Sequence, residues 1–158
     1  MRRIPFWKQF IYLLVTGVLL ACTMGEEKRQ AEQASASMLD ERVQQGGMIH
    51  HRHYSEQFFK TIPQQQWEML QNMVQIEHGD LKSYTLTKGT INTRPSAIGW
   101  SGTFAVLFYD TRYARGEGRE IITLYKPDGA QAFKVLGHDF KSSLITEQLD
   151  AATRSREN

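Results

Sequence analysis

"FYDTRYARGEGREIITLYKPDGAQAFKVLGHDF", residues 108–140, is the stretch from which the fold is read. Two segments in it, "REIITLYK" and "AFKVLGHDF", are rich in β-branched and aromatic residues. They are bounded by "ARGEGR" and "PDGA", where Gly116, Gly118 and Gly129 suit the backbone angles of hairpin turns. Just upstream, "AIGWSGTFAVLFYDTRY" (97–113) carries Trp100, Phe104, Val106 and Phe108 at period two, which predicts a strand that turns those four residues to the core. "DLKSYTLTKGTINT" (80–93) alternates as well and is rich in Thr. Four strands in succession, joined by short turns, predict an antiparallel meander.

The residues before the meander read as helix. "ASASMLDERVQQ" (34–45) places Met38, Leu39 and Val43 on one side, and Gly46 with Gly47 stops it. "HYSEQFFKTI" (53–62) is a second short helix with Phe58 and Phe59 inward. In "TIPQQQWEMLQNMVQIEHG" (61–79), Thr61 and Gln64 form a capping-box pattern and Pro63 suits a first turn. Trp67, Leu70 and Val74 recur at helical spacing with Met73 beside them, and Gly79 ends the run. The expected fold class is α+β, with N-terminal helices packed on a curved four-stranded antiparallel sheet.

This order and these turns resemble the small envelope domains of the cystatin-like or nuclear-transport-factor-two-like superfamily over roughly residues 35–141. The residues that carry the resemblance are Tyr109 and Tyr113, Gly116 and Gly118, Glu120, Asp128 with Gly129, and Gly137 with Phe140. The "GGMIHH" stretch departs from the Gly-Asp-Tyr type of turn more common there. The resemblance implies a fold. It also implies a concave sheet face where some related dehydratases use an Asp–His pair, for which the candidates are Asp110, His138 and Asp139.

The amino-terminal end has a different character. Arg2, Arg3 and Lys8 precede the apolar run "FIYLLVTGVLLA" (10–21), and no acid occurs before Glu26. A helix of that run rises only about 18 Å, well short of a ~30 Å hydrocarbon core. A basic start, a short apolar run and a small residue at its end have the form of an export signal. Leu19, Leu20, Ala21 and Cys22, the last being the one cysteine of the chain, resemble a bacterial lipobox. That resemblance implies diacylglyceryl transfer to the Cys22 thiol, cleavage before it and acylation of the new amino group. It also implies a lipid-anchored place in the bacterial envelope. With Thr23 rather than aspartate after the cysteine, it points to the periplasmic side of the outer membrane in a Gram-negative source. Each buried methylene of the acyl chains contributes about 0.8 kcal/mol, so two or three chains hold the protein firmly.

The expected organisation is a signal peptide over 1–21 and a lipidated tether over 22–36. An α+β domain over 37–141 and a polar tail over 142–158 follow, the tail with Leu144, Ile145 and Leu149 as a last helical turn. Removal of residues 1–21 takes Arg2, Arg3 and Lys8 with it and leaves 16 basic against 17 acidic residues, so the exported chain offers no electrostatic footprint for nucleic acid.

Candidate chemistry is sparse. "HHRHY" (50–54) brings His50, His51 and His53 together, yet Arg52 repels a cation and the set lacks a fixed third or fourth ligand, so no metal is expected. His138 and Asp139 are neighbours on a strand and point to opposite faces. Trp67, Trp100, Phe104, Phe108 and Phe133, with Asp110 and His138, could line a pocket, or the aromatic residues could simply be core. No P-loop or dinucleotide pattern occurs in "ARGEGR", whose Arg115 and Arg119 are expected in solvent. The expected function is a non-catalytic, lipid-anchored envelope protein without cofactor that binds a protein partner or supports an assembly. The alternative is a small-ligand or acid–base pocket in the concave face of the sheet.

Overall fold

The computed structural model describes residues 6–46, 49–94 and 100–142. Helix α1 (Phe6–Gln45) is followed by a 3-10 turn at His51–His53, then α2 (Glu56–Thr61) and α3 (Gln64–His78). Four strands complete the chain: β1 (Leu81–Arg94), β2 (Gly102–Tyr113), β3 (Gly116–Pro127) and β4 (Lys134–Ser142). They form one antiparallel sheet in the order β1-β2-β3-β4, so the expected α+β arrangement and meander hold. The expected tail lies, beyond Ser142, outside the described residues.

One face of the sheet is covered by α1. Side chains alternate along a strand, so the inward residues of β2 are Ala105, Leu107, Tyr109, Thr111 and Tyr113. Phe104, Val106 and Phe108 therefore lie on the outer face, and Trp100 is 40% exposed. The expected orientation of this strand is reversed. The physical reason is the approach of α1: Ala105 is small, and a Cβ at Gly89 would stand 2.9 Å from Leu107 Cδ2 and within 4 Å of Glu32 and Lys28. A helix packs closely where the sheet surface is low, and the bulky aromatic face cannot offer that.

Helix α1 extends the packed unit towards the amino terminus. Ala31 and Ser35 are as fully buried as Met38 and Leu39, and the Ser35 hydroxyl lies 2.5 Å from the Tyr109 hydroxyl. The stretch expected as a tether over 22–36 is thus helix, and it joins the core well before residue 37. Gly46 ends the helix with φ 55°, its N–H donating to the Arg42 carbonyl at 3.1 Å.

The caps differ from the expected ones. Ser55 caps α2, accepting from the Phe58 N–H at 3.1 Å. Thr61 is spent in the last turn of α2, its hydroxyl donating to the Gln57 carbonyl at 3.4 Å, so the Thr61–Gln64 capping box does not form. On α3 the inward residues are Trp67, Gln71 and His78, with Val74 half-buried beside them. Leu70 is 37% exposed, and Gln71 takes the inner place because its side chain accepts the Ile49 N–H at 2.6 Å. A buried backbone donor without an acceptor costs more than one exposed leucine. Gly79 ends α3 at φ 75°, as expected.

Candidate functional site

Beneath α1 lies a buried polar cluster. Glu120 sits on β3 in register with Ile122 and Leu124, and alternation turns all three inward. His138 on β4 stands diagonally across, since Ile122 pairs with His138 and Glu120 with Phe140. Arg42 comes from α1, in helical spacing with Ser35 and Met38. Tyr113 comes from β2, and Tyr54 from the segment that bridges Val135 before α2.

The distances close the cluster. Arg42 Nη1 donates to Glu120 Oε1 at 2.8 Å, and the Tyr113 hydroxyl donates to the same oxygen. His138 Nε2 lies 2.8 Å from Glu120 Oε2, and the Tyr54 hydroxyl lies 3.0 Å from His138 Nδ1. Burial by itself would raise the Glu120 pKa. Arg42, His138 and Tyr113 outweigh it and hold the carboxyl down to about 2. An ionised carboxylate can only accept, so His138 Nε2 carries its proton. Burial pushes the Tyr54 hydroxyl well above its ordinary range, and Tyr113 moves the same way, so both remain phenols.

A carboxylate, an imidazole and a phenol in line could in principle relay a proton. Here no substrate can reach them. The side chains of Glu120 and His138 are 1% and 0% exposed. Trp67 and Phe140 seal the imidazole, with ring centroids 5.4 Å and 4.5 Å from it. Each polar atom of the carboxylate and the ring has a partner, which makes this a clasp joining α1 and the Tyr54 segment to three strands.

The residues weighed as a pocket, or else as core, do not come together. Trp67 and His138 lie inside, whereas Trp100, Phe104, Phe108 and Asp110 lie on the outer face or at its edge. Phe133 is buried beneath Lys126, whose ammonium stands 5.2 Å from its ring centre. Asp110 is exposed and pairs with Arg119 at 3.1 Å, so Asp110 and His138 never meet. Asp139 is exposed. Arg115, expected in solvent, donates to the Gln75 and Glu77 carbonyls at 3.3 Å and 3.1 Å and also to that of Ile76, closing the C-terminus of α3.

The histidines disperse. His53 Nε2 lies 2.7 Å from Glu41 Oε2, which also accepts from Arg52 at 2.8 Å. His50 and His51 are exposed. Among the described residues no three His, Cys, Asp or Glu side chains gather to hold a metal ion. Cys22 lies within α1.

Glu120, Arg42, Tyr54 and Tyr113 were not expected as a unit. Their signal in the sequence is a charge at an apolar position: Glu120 in step with Ile122 and Leu124, and Arg42 in step with Met38. A charge placed so must find a partner of opposite sign, but the partner's position is invisible in a linear chain.

Two surfaces remain. A broad, open depression of about 700 Å³ on the outer face is lined by Ser83, Thr85, Asp110, Arg119 and Lys141 among others. Its charges answer one another through Asp110–Arg119 and through Arg112–Glu117 at 3.3 Å. The second surface is the outward side of α3, where Met69 (56%), Leu70 (37%), Met73 (57%) and Ile76 (77%) are exposed together. The chain matches no family model, no curated protein and no solved structure.

Proposed function

We propose that this chain is a lipid-anchored protein of the bacterial envelope, non-catalytic, whose domain docks a protein partner on the outward side of α3. The observation that carries the docking is the apolar stripe Met69, Met73 and Ile76, at spacings of four and three, with Leu70 beside it. These four exposed large apolar side chains all lie on one helix of 15 residues. An exposed apolar stripe on a helix whose opposite side is already in the core is a mark of an interface. Two methionines make it adaptable to its counterpart.

Helix α3 has Glu68 and Glu77 towards its two ends and no Lys or Arg. The partner that fits is a different protein presenting an apolar ridge with basic residues opposite Glu68 and Glu77, the nearby Arg115 being engaged with the carbonyls of α3 itself. The anchor reading rests on Leu19, Leu20, Ala21 and Cys22 behind a basic start, and places the domain at the membrane surface, on the periplasmic side of the outer membrane in a Gram-negative cell.

Two measurements test the two halves. Labelled palmitate should enter the wild-type chain and not Cys22→Ser, and equal label in both sinks the anchor. A photo-crosslinking residue at position 73 should give one discrete adduct in cells, lost in Met69→Glu. The same residue at the exposed Thr87 should give none. Equal adducts from positions 73 and 87, or none from 69, 70, 73 and 76, sinks the docking.

A further inference from the structure

We infer that the end of the sheet formed by Arg94, Gly102 and Pro127, with Trp100 beside it, lies against the phospholipid headgroups. This rests on the reading of Cys22 as the lipid anchor. Helix α1 is continuous through Cys22 and meets the sheet at Glu27, whose carboxylate lies 2.7 Å from Lys126 Nζ. Gln30 accepts from the same ammonium at 3.0 Å. Glu27 lies five helical steps beyond Cys22, a rise of about 7.5 Å. Even fully extended, those steps would span at most about 18 Å. The domain is thus held close to the bilayer, with little freedom to turn away.

The direction of α1 decides which end is near. Its Glu27 end sits over Lys126, next to Pro127, which is in register with Gly102 and through it with Arg94. Its other end places Arg42 at Glu120 and Gly46 at Asp80. The Arg94–Gly102–Pro127 end therefore faces the same way as Cys22.

That end is built for an interface of lipid and water. Trp100 is 40% exposed, its ring 5.4 Å from Tyr125, which stacks on Phe104 at 4.6 Å. The Arg94 guanidinium stands 5.1 Å from the Phe104 ring centre. Arg94 is the exposed cation of this end, since Lys126 is spent on Glu27, and the single carboxylate of the adjoining turn is Asp128. Of the strand acids, Asp110, Glu117 and Glu120 lie towards the other end, and Asp139 is in register with Ile121 in mid-sheet. Tryptophan and tyrosine favour the headgroup level, and arginine and lysine meet lipid phosphates there.

The test uses the mature lipidated protein in vesicles of phosphatidylethanolamine and phosphatidylglycerol whose acyl chains are brominated near the headgroup. Cleavage before Cys22 leaves Trp67 and Trp100 as its tryptophans. Trp100 emission should be quenched, and the quenched component should be lost in Trp100→Phe, whereas buried Trp67 stays bright. Arg94→Glu should weaken the quenching. Protein that floats with the vesicles yet shows no quenching overturns the inference and leaves the anchor standing. Protein that fails to float overturns both.

Discussion

The Arg42 guanidinium and the Glu120 carboxylate meet at 2.8 Å with their side chains 4% and 1% exposed, although 78 residues separate them in the chain. The pair fastens the helix that carries Cys22 to the middle of the sheet. A buried pair is poor evidence of net stability, because desolvation offsets much of the attraction. It is good evidence of register. Arg42 has one carboxylate to meet, and a shift of α1 by a residue would leave two charges buried and unpaired.

Glu120→Gln should destabilise the domain by about 3–5 kcal/mol, because it leaves the Arg42 charge buried without its counter-ion. Arg42→Met should cost a comparable amount. The double variant should cost clearly less than the two together, since the residues act as one unit. Urea denaturation of the full chain in detergent gives the three values, and strict additivity would mean that the pair is not coupled.

Acid should loosen the fold through the same carboxylate. Glu120 is held at about 2 in the folded chain, against 4.5 for the free side chain. A lowered pKa means that its contribution is complete above pH 4.5 and is lost as the pH falls towards 2. The difference corresponds to about 3 kcal/mol. The groups that face it are Arg42 from α1, Tyr113 from β2 and His138 from β4, with Tyr54 behind the imidazole. The urea midpoint of the wild type should drop across this window, and the gap between wild type and Glu120→Gln should close. A gap that stays constant down to the lower limit would mean that Glu120 is not the titrating group.

Trp67 and Trp100 should differ sharply. Trp67 is 3% exposed and packs edge-on against Phe58 at 5.0 Å and flat on Phe140 at 5.6 Å. Trp67→Ala should cost about 3–5 kcal/mol, through lost burial and the cavity left behind. Trp100→Ala should change stability by less than about 1 kcal/mol, as surface substitutions do. Thermal melts of the two variants settle it, and equal losses would turn β2 over.

Much of the fold is legible in local patterns. The β-branched and aromatic residues of "REIITLYK", the turn residues of "PDGA" and the glycine after His78 need no partner to be understood, because φ/ψ preference acts within a few residues. The choice of inner face on β2 is not of that kind. Phe104, Val106 and Phe108 are as apolar as Ala105, Leu107 and Tyr109, so period two is satisfied either way. The same holds on α3, where Leu70 and Gln71 stand next to each other and the more polar residue goes inside.

By itself, then, the sequence determined four strands in meander order, the helices before them, and a basic start that runs into an apolar stretch ending at the cysteine. These are short-range properties, fixed by backbone geometry and by the order of residue types. Tertiary structure alone decided which face of β2 lies beneath α1, because helix approach depends on the small surface at Gly89 and Ala105 together. It alone turned Gln71 inward, to accept the Ile49 N–H. It also joined Arg42, Glu120, His138 and Tyr54, because a buried charge is tolerable only where distant parts of the chain bring its partners within hydrogen-bond reach.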